Sequence, residues 1–109
     1  MEISKSDWNL YKRKLPLWQE KYIESLIRKY VEILSGSEKA SEKFWMLEKQ
    51  IRKDKKSPGV SVEMSKDMML GTIVGLLNDK VISLGDKVIS LGDIEEFSDD
   101  FKAAVNFFM

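Results

Sequence analysis

The chain has 109 residues, 43% hydrophobic and 33% charged, and its 18 basic and 18 acidic side chains cancel. That is the size of one domain built on one core, so a single unit over residues 1–109 is expected. Cysteine and histidine are both missing, which excludes disulfides, thiolate metal sites, a Cys nucleophile and a Ser-His-Asp triad.

The charge is unevenly placed. Residues 1–60 carry net +5 and residues 61–109 carry net −5, so the two halves attract each other or present surfaces of opposite sign. The amino-terminal stretch lacks the apolar centre of a secretory signal. The longest apolar run, Met68–Leu77, is far below the roughly 18 residues that cross a bilayer. A cytoplasmic location without membrane contact is the expectation.

In chain order, Ser6 or Asp7 is placed to cap a first helix running to about Lys14. Pro16 has no amide hydrogen and disfavours helix at Leu15, which predicts a kink and a second helix from Pro16 to Leu34. Leu17, Tyr22 or Ile23, Leu26, Tyr30 and Ile33 form its apolar stripe. Gly36 is the expected terminator in the left-handed backbone. Another helix follows, with Ala40, Phe44, Leu47 and Ile51 on one face, and ends before Ser57-Pro58-Gly59. The alternation in Val60–Met64 predicts a short extended segment. Ser65 then starts a helix whose apolar arc, from Met69 to Leu77, marks it as the central one. Gly71 and Gly75, four apart, predict close approach of a neighbouring helix.

Next comes KVISLGD twice, Lys80–Asp86 and Lys87–Asp93. A seven-residue copy would reverse every later side chain of a strand but leaves helical faces nearly in place. Each copy ends in Gly-Asp, which opposes continuous helix. The reading is an inserted copy in a connection that tolerates length. The first copy makes a turn or short helix, and Ser90 of the second caps the last helix. That helix carries Leu91, Ile94, Phe97, Phe101, Val105 and Phe108 on one face, with Phe107 pointing elsewhere. The fold class is therefore all-α, a compact bundle of four to five helices around Met68–Leu77.

KFWMLEKQIRKDKKSPGV, with LPLWQEKYI before it and IEEFSDDFK after, resembles small all-helical cytoplasmic proteins of Gram-positive bacteria. The resemblance covers about two thirds of the chain, implies no activity and transfers no site residue.

Three features are candidates for function. Lys49, Arg52, Lys53, Lys55 and Lys56 form a basic cluster and Tyr11–Lys14 a smaller one. With Trp8, Tyr11, Trp18 and Trp45 they are suited to hold phosphates and stack bases, or simply to solvate helix ends. Phe107 and Phe108 offer an apolar end for a homodimer through the last helix. Glu95, Glu96, Asp99 and Asp100 read as a solvated acidic face rather than a metal site. No catalytic set, cofactor or metal is expected. The function expected is that of a small non-enzymatic intracellular interaction or regulatory protein, presenting a helical face to a protein partner. A nucleic-acid-binding regulator using residues 11–14 and 49–56 is the alternative.

Overall fold

A computed structural model describes residues 2–83 and 93–109. Four helices follow in order: α1 Lys5–Leu34, α2 Ala40–Asp54, α3 Met69–Asn78 and α4 Asp99–Phe108, with no strand among the described residues. The fold is all-α, as the apolar periodicity predicts.

α1 is a single helix of 30 residues with Pro16 inside it, not two separate helices. Pro16 lies on the exposed side, while Tyr11, Leu15 and Trp18 on either side of it are buried in one core. An interior proline costs about 3 kcal/mol. Burying each of those large side chains returns roughly 1.5–3 kcal/mol, so continuity wins. The cap is Ser4, whose hydroxyl accepts from the Asp7 amide at 3.1 Å. Asp7 itself is used elsewhere. Its buried carboxylate accepts from the Ser98 amide at 2.9 Å and the Ser98 hydroxyl at 2.6 Å. Ser98 in turn caps α4 by accepting from the Phe101 amide. One carboxylate thus ties the starts of α1 and α4 together.

The core forms where the first half of α1 meets α3 and α4. Leu10, Tyr11, Leu15 and Trp18 pack with Met69, Ile73, Leu76 and Leu77, and with Ile82, Ile94, Phe97, Phe101 and Val105. The expected central helix is indeed buried on its Met69–Leu77 arc. It starts three residues later than expected, and Ser65 supplies only a backbone acceptor for the Met68 amide. α3 ends with Lys80 in the left-handed region at φ 61°. The Val81 amide bonds to the Leu76 carbonyl and the Lys80 amide to the Leu77 carbonyl, a Schellman closure. The left-handed terminator is therefore Lys80, whereas α1 closes through right-handed Ser35 and Gly36 is not left-handed.

The second half of α1 runs on beyond the core and α2 folds back against it. Three contacts fix this antiparallel hairpin. Tyr30 donates to Asp54 Oδ2 at 2.5 Å, Gln19 donates to the Pro58 carbonyl at 2.9 Å, and Gly59 sits against the Tyr22 ring. The stretch Ser61–Ser65 takes no regular structure, because no edge is present to pair with an isolated extended segment. The long axis of the molecule, 52 Å against 33 and 23 Å, follows α1, which at 1.5 Å per residue is about 45 Å long.

The expected helix-on-glycine contact is not made among the described residues. A Cβ at Gly71 would meet nothing within 4 Å, and one at Gly75 would touch only Pro58. The duplicated heptad falls largely outside the described residues. The last helix nevertheless starts later than expected, at Asp99 under Ser98, so Ser90 does not cap it, and Ile94 and Phe97 reach the core from the turn that precedes the helix. The two ends of the duplication are described: the Asp93 amide donates to the Ser83 carbonyl at 2.9 Å, and the Ser83 amide to Asp93 Oδ2 at 2.8 Å.

Candidate interaction surfaces

α2 is amphipathic yet buries no residue. The expected stripe of Ala40, Phe44, Leu47 and Ile51 does not enter a core. Phe44 is 61% exposed, Ile51 38%, and Leu47 is half-buried. On the helical period, Lys43, Leu47, Gln50 and Asp54 turn toward α1, and Phe44 and Ile51 lie about a quarter turn to one flank. Phe44, Leu47 and Ile51 line a shallow hollow of about 270 Å³ with Glu48, Arg52 and Lys55.

α1 repeats the pattern. Leu26 is buried and Ile23, Tyr30 and Ile33 are half-buried, facing α2. Ile27, Val31 and Leu34, at 52, 54 and 48% exposure, occupy the adjoining flank. In an antiparallel pair, the flanks reached by turning forward from each contact stripe open on the same side. Ile27, Val31 and Leu34 therefore join Phe44 and Ile51 in one apolar face. The core-facing stripe of α1, from Asp7 to Trp18, points the opposite way on the same period. The face lies on the back of the molecule, clear of α3 and α4. The sequence reading passed over Ile27, Val31 and Leu34, although their spacing of four and three was the available signal. It also placed Leu17 in the buried stripe, whereas Leu17 is 68% exposed.

The basic cluster is divided. Lys49, Arg52, Lys53, Lys55 and Lys56 are all exposed. Arg52 pairs with Glu48, and Lys55 borders the apolar hollow beside it. Lys53 and Lys56 lie at a different hollow, shared with Tyr22, Asp54, Ser57 and Asp79. The smaller cluster is reduced on folding, to an exposed Lys12 and Arg13. Tyr11 is fully buried and cannot stack a base, Lys12 lies over the Trp8 ring at 5.3 Å, and Lys14 binds Glu96 at 2.9 Å. That ion pair holds the Glu96 carboxyl below its usual range. Trp18 is also in the core, so Trp45 is the one tryptophan left largely exposed.

At the other end, Phe107 projects into solvent as expected. Phe108 does too, at 60% exposure, against the expectation that it continues the buried Phe101–Val105 stripe. Nothing described lies beyond Val105 to cover it, and it borders a hollow with Leu70, Gly71 and Val74.

The one buried side-chain polar atom without a hydrogen-bond partner among the described residues is the Tyr11 hydroxyl. Burial pushes its phenol up, with the neighbouring Thr72 hydroxyl acting in the opposite sense. Among the described residues no three acidic side chains converge as a metal site, and no helix is long and apolar enough to cross a membrane. No protein-family model matches the chain, and it has no match among curated proteins or solved structures.

Proposed function

We propose that this chain is a non-enzymatic interaction protein of the cytoplasm, and that it presents the open side of the α1–α2 hairpin to a protein partner. One observation carries this reading: an amphipathic helix of 15 residues buries none of them in its own fold. Side chains such as Phe44, Ile27 and Val31 each leave about 1 kcal/mol of burial unrealised in the lone chain, and a docked helical surface recovers it. The nucleic-acid alternative is weaker. Tyr11 is inside the core, Lys14 and Arg52 are held in ion pairs, and Lys53 and Lys56 share their hollow with two aspartates.

The test is a photo-reactive phenylalanine analogue at Phe44 in cells of the source organism, with Lys12 as the control position. Protein adducts are expected at position 44, and Val31→Lys is expected to abolish them. Equal labelling at both positions, or none at 44, counts against the reading.

A further inference from the structure

We infer that the partner covering this face is a second copy of the chain, packed hairpin on hairpin into a four-helix bundle. The inference rests on the protein-binding reading above and supplies the occupant.

The argument begins with charge. On the exposed side of the hairpin, α1 contributes Glu20 and Glu24 next to Ile27, while α2 contributes Lys55 next to Ile51, beside an Arg52 that is already paired with Glu48. The two helices of one hairpin thus carry opposite signs at the same end of the apolar face. The Tyr30–Asp54 bond on one side and the Tyr22–Gly59 contact on the other bracket both Glu24 and Lys55, which puts them on the same stretch of the hairpin. Neither takes part in an ion pair with a described residue.

Such a face is complementary to itself about one axis. A two-fold axis along the hairpin, lying in the contact plane, sets α1 of each copy against α2 of the other. Glu24 then meets Lys55 of the second copy, twice by symmetry. Ile27, Val31 and Leu34 meet the other copy's Phe44, Leu47 and Ile51. The core stripe of α1 faces away from the contact, so α3 and α4 do not obstruct the approach.

Area agrees. Covering the five exposed apolar side chains and their charged margins from both copies buries about 1,000 Å² in total, near the lower bound for a specific interface. A dimer in the micromolar range is the matching expectation. The alternative route to self-association, through Phe107 and Phe108, offers two exposed side chains against the five of the hairpin face.

Sedimentation equilibrium of the full chain, over about 1–500 μM, tests this. The expected result is a monomer–dimer equilibrium that Val31→Lys and Phe44→Lys each drive to monomer and that Phe107→Lys leaves unchanged. Glu24→Lys and Lys55→Glu are each expected to weaken the dimer about tenfold, since each places two like-charged pairs across the axis. Mixing those two variants restores the pairing between copies and is expected to recover a heterodimer, which repair within one chain would not produce. Circular dichroism checks that every variant retains its helix content. A monomer at all concentrations overturns the inference. So does a dimer lost with Phe107→Lys but kept with Phe44→Lys, or a mixture no tighter than the single variants. If the chain stays monomeric while the analogue at Phe44 captures a different protein, the second copy is wrong and the protein-binding reading stands. A monomer without adducts removes both.

Discussion

Three residues show how little a residue type says without its surroundings. Gly59 is locked in place, because a Cβ there would come within 2.5 Å of the Tyr22 ring and 2.6 Å of Val81. Gly71 sits mid-helix with open space around it, so its flexibility is only a cost. Lys80 occupies a left-handed position at φ 61°, where a side chain is strained by about 1 kcal/mol or more. Unfolding free energies from urea titration are therefore expected to rise for Gly71→Ala and for Lys80→Gly, by about 1 kcal/mol each. Gly59→Ala is expected to lose about 1–3 kcal/mol through overpacking. A stabilised Gly59→Ala would contradict the contact that brings the α2 exit against α1.

At the scale of elements, the Tyr30–Asp54 hydrogen bond is the best-defined polar contact between α1 and α2. Burial, followed by the Asp54 carboxylate, pushes the Tyr30 phenol up to about 12. A phenol raised above its unfolded value near 10 stabilises the fold fully below about pH 10. The contribution is lost as pH rises from about 10 toward 12, as the unfolded chain gives up its proton first. Tyr30→Phe is expected to cost about 1 kcal/mol at neutral pH. The wild-type advantage over the variant should shrink between about pH 10 and 12 in paired denaturation curves. An unchanged difference across that range would mean that the hydrogen bond does not support the hairpin. α1 itself illustrates the limit of local rules: the proline signal is real, yet Leu15 and Trp18 on one core hold the helix through it.

For the whole molecule, the duplicated heptad supplies the sharpest test. The chain leaves the described structure after Ser83 and returns at Asp93, and those two residues are joined by two hydrogen bonds. Deleting Leu84–Ser90, which yields the same protein as deleting Lys80–Asp86, leaves Ser-Leu-Gly-Asp between them. The Asp-to-Ser backbone bond then closes a four-residue turn with glycine at its third position, the arrangement of a type II turn. The shortened protein is expected to keep its helix content and to stay within about 1 kcal/mol of the parent in urea. Loss of cooperative unfolding would make the second copy a structural part of the fold.

Apolar residues recurring at three and four were enough, by themselves, to determine that the chain is helical, that Met69–Leu77 is central, and that Phe101 and Val105 share a buried face. This information is local, since the backbone repeat alone decides which side chains share a face. Which of those faces is covered was decided only by the tertiary structure. Phe44, Ile51 and Phe108 follow the same period as Phe101 and Val105, yet they stand in solvent. α3 and α4 pack around the first half of α1 and only α2 accompanies the second half, so among the described residues no element lies over the back of the hairpin. Burial depends on that supply of distant partners, which no spacing along the chain records.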